Sequence, residues 1–306
     1  MGELAIRAPV VADAPRLAAL LNAHAVAVEG EESTTEDEVR SWFSLPGLQP
    51  EHDMRVAVAP DGDLVGYADI AGQETGPLHV DLRVPPDDAW ATPALLDAME
   101  ARAAERGSPP RALRVHGSSS DDAVVALLRA RGYAVVRSSF RMETSVGAEP
   151  AAPAWPSGIK VRASRGPDDL PAIHAAAEEA FADHWGYEPL AFEEWCRWNV
   201  RDTLDPSLWF LAEDGGEVAG ISLCRLDETP DRTLGWVSIL GVRRAWRGRG
   251  LARALLLHSF DALRLRGCTR VGLGVDSQNT TGAVRLYESV GMRVAHRGDS
   301  WERGAA

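Results

Sequence analysis

The amino-acid sequence predicts an α/β protein of the α+β, mixed-sheet kind, made of two similar halves. Each half is expected to form a twisted, largely antiparallel sheet with helices on both faces. Three observations support this. The chain has 306 residues, which suits two domains of about 150 residues each. The stretch 146–157 is rich in Pro, Ala and Gly without a hydrophobic period, which is typical of a linker. The same order of predicted strands, turns and helices occurs on both sides of it.

The repeated elements justify the division into halves. Each half begins with a short strand and a helix, continues with two strands joined by a Gly-containing turn, and ends with a helix and a Gly step into a last strand. The boundaries expected from this pattern are a first domain at 1–147, a linker at 148–157 and a second domain at 158–306. In the first half we predict strands at 6–8, 54–58, 64–70 and 78–84 and helices at 13–23 and 123–130. In the second half we predict strands at 161–163, 208–212, 217–223 and 236–242 and helices at 168–182 and 281–289.

Composition excludes several classes of function. The formal net charge of -13 opposes contact with nucleic acid or an anionic membrane surface, so we expect neither partner. The three cysteines have no metal-ligand spacing, so no metal is expected. No signal peptide is recognised, and no apolar run approaches the roughly 20 residues that a membrane span requires. We therefore expect a cytoplasmic protein.

A glycine loop in the second half is the first chemical signal. A predicted strand ends near Val242, and the segment Arg247-Gly248-Arg249-Gly250-Leu251-Ala252 leads into a helix. Backbone N–H groups at a helix amino terminus have no intrahelical partner and attract anions. Glycine lets a diphosphate approach these groups, and the two arginines add positive charge. The alternative is a plain strand-to-helix connection with its arginines in solvent.

A second motif follows at 279–292, where Asn279 precedes a helix that contains Leu286 and Tyr287 and is followed by Gly291-Met292. Together the two motifs resemble the GNAT superfamily of N-acetyltransferases. That family combines an Arg/Gln-x-x-Gly-x-Gly/Ala loop with a later Asn-x-x-Ala-x-x-Leu-Tyr helix and a Gly-Phe step. The resemblance covers 159–294. It departs from the pattern at Ala245, which stands where the family has Arg or Gln.

The resemblance implies acetyl-CoA as co-substrate and a role for each matching residue. The amides of Arg247, Gly248, Arg249, Gly250, Leu251 and Ala252 would hold the pyrophosphate. The strand edge at Leu240, Gly241 and Val242 would pair with the pantetheine arm, and an N–H near Leu240 would stabilise the oxyanion. Asn279 would bind the pantetheine arm, and Tyr287 would be the general acid. The alternatives are that Asn279 only caps a helix and that Tyr287 is a core residue.

The first half lacks both motifs. In the corresponding register Trp90 stands at the place of Gly248 and Thr92 at that of Gly250, within a loop that contains prolines and two acids. Leu128 replaces the tyrosine. We therefore expect a degenerate first domain that keeps the fold without a cofactor site.

The acceptor and its base are harder to predict, because no residue stands out. In the similar mycothiol synthase family of tandem enzymes, the strand before the loop carries a glutamate near its start, and Trp236 occupies that place here. Candidates for acceptor contact lie in two segments: His184, Trp185, Tyr187 and Glu188 between two helices, and Asp227 and Glu228 before the strand. The alternative for the first segment is a surface loop.

The sequence thus predicts a monomeric or homodimeric N-acetyltransferase with one acyl-CoA site. Its acceptor is expected to be a small-molecule amine, cationic or aminosugar-like. One alternative is acetylation of an aminosugar conjugate, as in the mycothiol synthase family. The other is a non-catalytic regulatory protein that binds acyl-CoA.

Overall fold

A computed structural model describes residues 4–45, 47–72, 76–106, 111–147, 151–185, 187–200, 204–279 and 281–303. The chain divides into two compact units. The first contains Met1–Phe140, Asp276–Gln278 and His296–Ala306, and the second contains Arg141–Val275 and Asn279–Ala295. Both units therefore combine segments from the two predicted halves. Residues 148–150 of the predicted linker lie outside the described residues.

The strands and helices follow the order predicted for the two halves. The strands are β1 (Ala5–Arg7), β2 (Met54–Val58), β3 (Leu64–Ala71), β4 (Leu78–Arg83), β5 (Leu113–Ser118), β6 (Tyr133–Ser145), β7 (Ile159–Ala163), β8 (Trp209–Asp214), β9 (Glu217–Arg225), β10 (Leu234–Val242), β11 (Arg270–Asp276) and β12 (Arg293–Arg303). The helices are α1 (Ala14–Glu29), α2 (Glu36–Trp42), α3 (Pro50–Asp53), α4 (Thr92–Glu105), α5 (Asp122–Ala130), α6 (Leu170–Phe181), α7 (Phe192–Asn199), α8 (Leu251–Leu265) and α9 (Ala283–Ser289). The predicted mixed fold is confirmed.

In the first unit the strand order is β1-β2-β3-β4-β5-β12, followed by the first part of β6. Strands β4 and β5 are parallel, whereas β5 and β12 are antiparallel. Successive side chains of a strand point to opposite faces, so each strand contributes to two cores. Helix α1 packs through Leu17 and Leu21 on one face, and α4 packs through Leu95 and Met99 on the other.

In the second unit the strand order is β7-β8-β9-β10-β11, with residues 141–145 of β6 beside β11. Helix α6 covers one face, where Ile173 and Ala177 pack against Leu211 and Ile221. Helix α8 covers the other face and reaches the sheet at Leu255.

Strand β10 loses one of its two neighbouring strands partway along its length. It pairs with β11 over Leu234–Trp236 and with β9 along most of its length. A bulge between Val237 and Ile239 interrupts the register with β9. Within the described residues, no pairing with β11 continues beyond Trp236, so the edge of the strand at Leu240 is open. This open edge lies at the start of the glycine loop.

Among the described residues, no helix combines the length and the apolar character needed to cross a bilayer.

Candidate active site

The glycine loop between β10 and α8 has the conformation that its sequence suggests. After Val242 a single 3-10 turn covers Arg244–Trp246, and Gly248 and Gly250 then adopt φ of +73° and +83°. Residues with a Cβ rarely adopt this left-handed backbone conformation, so glycine is required at both positions for an unstrained turn. A Cβ added to either glycine would meet no heavy atom within 4 Å. The space beside both glycines is therefore open.

The loop presents backbone donors without acceptors. The first hydrogen bond of α8 runs from the N–H of Ala254 to the carbonyl of Gly250, at 3.1 Å. Within the described residues, no hydrogen bond is found from the N–H groups of residues 248–253. These groups form the positive end of a 15-residue helix. Together with the open space, they fit the diphosphate of a coenzyme A thioester.

A cavity of about 270 Å³ joins this loop to the open edge of β10. Gly241 forms part of its wall, where α6 approaches so closely that an added Cβ would lie 3.0 Å from the Cβ of Ala180. The cavity is lined by Ala180, Phe181, His184, Leu240, Gly241, Val242, Trp246, Arg247, Gly248, Gly250, Leu251, Ala252, Arg253, Thr281, Gly282, Ala283, Leu286 and Tyr287. Most of the residues predicted for cofactor contact thus lie around one space.

Tyr287 lies on α9 with its side chain against this cavity. Only 8% of the residue is exposed, and burial raises the pKa of its hydroxyl to about 12. Within the described residues, no hydrogen bond engages the hydroxyl. The tyrosine is therefore protonated at neutral pH and able to donate that proton into the cavity.

Asn279 is used mainly in a local turn. Its Oδ1 accepts hydrogen bonds from the N–H and the hydroxyl of Thr281, the first at 2.8 Å. Its Nδ2 lies 3.5 Å from Nε2 of His184. The stretch from Asn279 to Tyr287 also has one residue more than the Asn-x-x-Ala-x-x-Leu-Tyr pattern, so Thr280, outside the described residues, stands three positions before Ala283. Asn279 does not line the cavity, although His184 does.

The side chain of Arg247 holds the glycine loop in place. Its guanidinium donates to the carbonyls of Val242 at 3.1 Å and Ala180 at 2.9 Å and lies 3.2 Å from the carboxylate of Asp183. These contacts tie the loop to the end of α6. The arginine thus holds the backbone in place in addition to contributing charge.

Two further arginines differ in their surroundings. Arg249 lies 3.8 Å from the carboxylate of Asp214 and does not line the cavity. Arg253, which was not among the predicted site residues, does line it and has no carboxylate partner among the described residues. A cation in the first turn of a helix is unfavourable unless an anion lies nearby. The position of Arg253 in the first turn of a predicted helix therefore indicates a phosphate contact from the sequence alone.

The predicted acceptor residues do not form one cluster. Trp185 and Glu188 are exposed beyond α6, and Tyr187 has a pKa raised by burial and by a hydrogen bond to Glu178. Glu228 forms an ion pair with Arg225 at 3.1 Å. Asp227 lines a different cavity of the second unit. Of the six candidates, only His184 borders the space that also contains Tyr287.

Trp236 lies near the start of β10, where the similar mycothiol synthase family carries a glutamate. Its ring lies directly against Gly272, where an added Cβ would come within 2.6 Å of the indole. The guanidinium of Arg141 lies 5.6 Å from the ring centroid. An indole stacked on β11 therefore stands here in place of a carboxylate.

The corresponding loop of the first unit has another shape. A 3-10 helix covers Pro86–Ala91 and leads directly into α4, and Trp90 is 52% exposed. No glycine occurs in this stretch. The loop has no counterpart of the two left-handed residues at 248 and 250.

Comparison with known proteins gives consistent matches. A model of the acetyltransferase (GNAT) family matches residues 170–292. A mycothiol acetyltransferase from Geodermatophilus obscurus is 33% identical over 263 residues, which cover 81% of this chain and 81% of that protein. A mycothiol acetyltransferase from Thermobispora bispora is 36% identical over 164 residues, which cover 53% of this chain and 55% of that protein.

Two solved structures are also similar. A GCN5-related N-acetyltransferase from Sphaerobacter thermophilus has a TM-score of 0.80 and 32% identity, covering 98% of this chain and 95% of that chain. A tandem GNAT protein from the clavulanic acid biosynthesis pathway has a TM-score of 0.76 at 16% identity, covering 99% and 100% of the two chains. The second likeness concerns the fold alone.

Proposed function

The chain belongs to the acetyltransferase (GNAT) family, whose members use acetyl-CoA, and we propose that its second unit transfers an acetyl group from acetyl-CoA to the amine of a small molecule. The observation that supports this most strongly is the cavity at the end of β10. It brings unpartnered backbone N–H groups, an open strand edge and a buried tyrosine hydroxyl together around one space.

Each wall of the cavity has a proposed role. The N–H groups at Gly248 to Ala252 hold the diphosphate, with Arg253 as an added cation and Arg247 as a brace of the loop. The open edge at Leu240 to Val242 pairs with the amides of the pantetheine arm as an added strand does. His184 flanks that arm, and Asn279 acts behind it, with its Nδ2 3.5 Å from Nε2 of His184. We infer no metal in the reaction.

The residues of the site support a direct transfer. The neutral amine attacks the thioester carbonyl carbon, and the N–H near Leu240 stabilises the negative charge that develops on oxygen. The carbon–sulfur bond then breaks, and the hydroxyl of Tyr287 gives its proton to the leaving thiolate. The proton that the acceptor nitrogen loses passes to solvent or to a nearby base. The products are the acetylated amine and CoA thiol.

In this proposal the first unit has a structural role and no cofactor site of its own. The predicted domain boundaries, the monomeric or dimeric state, the cytoplasmic location and the lack of nucleic-acid and membrane partners stay predictions from the sequence. The relatives are named mycothiol acetyltransferases, which supports an amine acceptor in general terms. The indole at Trp236 weighs against carrying over their acceptor unchanged.

The proposal is tested by release of CoA thiol from acetyl-CoA with a panel of amines, including aminosugars and polyamines. Replacing Tyr287 with phenylalanine should lower kcat by about 10² to 10⁴-fold while acetyl-CoA binding, measured by calorimetry, is retained. Tyr133→Phe is the matched control, because that buried tyrosine lies in the first unit, where its hydroxyl donates to Glu100.

Two results would contradict the proposal. Binding of acetyl-CoA without thiol release for any amine would favour the regulatory alternative. Equal rates for wild type and Tyr287→Phe would remove Tyr287 from the role of acid.

A further inference from the structure

A second cavity, of about 140 Å³, lies in the second unit beside the middle of β10. It has room for several water molecules or for a small organic group. Its lining combines an apolar floor with a charged rim: Asn199, Leu204, Asp205, Leu208, Trp209, Leu223, Cys224, Arg225, Leu226, Asp227, Arg232 and Ser238.

This cavity and the cofactor cavity open on adjacent parts of one strand. Ser238 lines the second cavity, and Leu240 lines the cofactor cavity. Two residues of a strand span about 7 Å. The bulge between Val237 and Ile239 lies at this point and interrupts the regular alternation of side chains. The two cavities therefore meet β10 at positions about 7 Å apart along the strand, at Ser238 and at Leu240.

The floor of the cavity suits a short apolar group. Trp209 and Leu208 are 5% and 2% exposed, and the indole of Trp209 packs edge-on against Trp195 with centroids 6.3 Å apart. These side chains are fixed by the surrounding core, so the floor is preformed. A preformed apolar floor with a few polar groups at its rim is the usual composition of a small-molecule site.

The rim contains a cation that lacks a counter-ion. Arg225 is engaged, since its Nε donates to Ser238 at 2.6 Å and its Nη1 lies 3.1 Å from Glu228. Arg232 donates to the carbonyl of Leu226 at 3.2 Å, and no carboxylate in the described part of the chain lies within ion-pair distance of it. A guanidinium at a cavity mouth without such a partner favours an anionic ligand group, for which its planar donors are well suited.

We infer that this cavity binds the acetyl acceptor, and that the acceptor is an amine that also carries a carboxylate and a short apolar body, as an apolar amino acid does. The carboxylate meets Arg232, the apolar body lies on Trp209 and Leu223, and the amine faces the strand edge near Leu240. The amine attacks the thioester as described above, with no further reactant. This inference rests on the proposed function and adds the substrate class.

The test compares amines that differ only in the carboxylate. Thiol release from acetyl-CoA is measured with L-leucine and L-phenylalanine, with their amides, and with glucosamine and spermidine. The amino acids should be the better substrates. Arg232→Gln should raise KM for the amino acids about tenfold or more, with KM for acetyl-CoA unchanged. Arg197→Gln is the matched control. Arg197 is exposed on α7 and does not line the cavity, and its replacement removes the same charge.

A binding measurement separates this inference from the proposed function. L-Leucine and L-phenylalanine are each titrated into the full chain saturated with CoA, for wild type, Arg232→Gln and Arg197→Gln. Binding that only Arg232→Gln weakens supports the site even if no transfer follows, in which case the transferase proposal fails alone. Transfer to glucosamine, spermidine or the amides with equal efficiency, unaffected by Arg232→Gln, would overturn the inference and leave the transferase proposal standing. No binding of either amino acid would also overturn it.

Discussion

Replacing Gly250 by alanine tests whether the space in front of the unpartnered amides holds the diphosphate. Gly250 has a φ of +83°, and an added Cβ would stand in open space beside those amides. The strained backbone should cost about 1–2 kcal/mol of the free energy of unfolding. The methyl group should also exclude a phosphate oxygen from the amides. Loss of one charge-assisted hydrogen bond, about 1.5–3 kcal/mol, weakens binding by roughly 10-fold to 150-fold.

Gly215→Ala provides the control for the backbone effect. Gly215 lies in the turn between β8 and β9, with a φ of +62° and no heavy atom within 4 Å of an added Cβ. Both variants should lose similar stability in urea unfolding, whereas calorimetry with acetyl-CoA should show weaker binding for Gly250→Ala alone. Unchanged affinity for Gly250→Ala, at the stability expected for the strain, would refute the assignment of the diphosphate to this loop.

Because burial raises the pKa of Tyr287 to about 12, kcat should show no falling limb from this residue between pH 7 and about 10, the ordinary tyrosine value; a limb there that disappears in Tyr287→Phe would be inconsistent with the buried acid. Calorimetry on the full chain should give one CoA per chain, and two would contradict the predicted loss of the site in the first half. The hydrogen bond from Arg162 lowers the pKa of the buried Asp169 from 3.8 to about 2. This carboxylate therefore contributes about 2 kcal/mol of stability above pH 4 that is lost as the pH falls towards 2; urea unfolding of Asp169→Asn should lack that part of the acid dependence, and parallel curves for the two proteins would contradict it.

Local structure was predictable wherever neighbouring residues determine it. The predicted strands at 208–212 and 217–223 correspond to Trp209–Asp214 and Glu217–Arg225, because a Gly-Gly turn between two apolar runs specifies a hairpin. The predicted helix at 168–182 corresponds to Leu170–Phe181. Both the glycine loop and the helix that follows it were identified from short-range signals of the same kind.

The partner of the last strand was not predictable in this way. β12 is the last strand in sequence order, yet its residues from His296 belong to the first unit, where it lies antiparallel to β5. Pairing between strands that are far apart in sequence depends on the assembled sheet and leaves no local pattern. Strands that are consecutive in sequence are neighbours in the sheet only about two-thirds of the time. Here β11 and β12 are separated by β6.

The candidate site was predicted in part. The loop and the tyrosine were found because glycines and a motif mark them, whereas Arg253 was missed although a cation at a helix start is itself a signal. Of the residues around the second cavity, only Asp227 was predicted as an acceptor contact, because Leu208, Trp209 and Leu223 have the same apolar character as any core residue. Only the fold brings them beside Arg225 and Arg232.

A crystal structure of the full chain with bound CoA would show whether the loop between β10 and α8 holds the cofactor. We expect one CoA, with phosphate oxygens within about 3.2 Å of the backbone nitrogens in the stretch 248–253. The pantetheine arm should lie along the edge of β10, with the sulfur beside the hydroxyl of Tyr287. Density for CoA at the loop after β4, or CoA bound with its diphosphate away from Gly248 and Gly250, would contradict the proposed cofactor site.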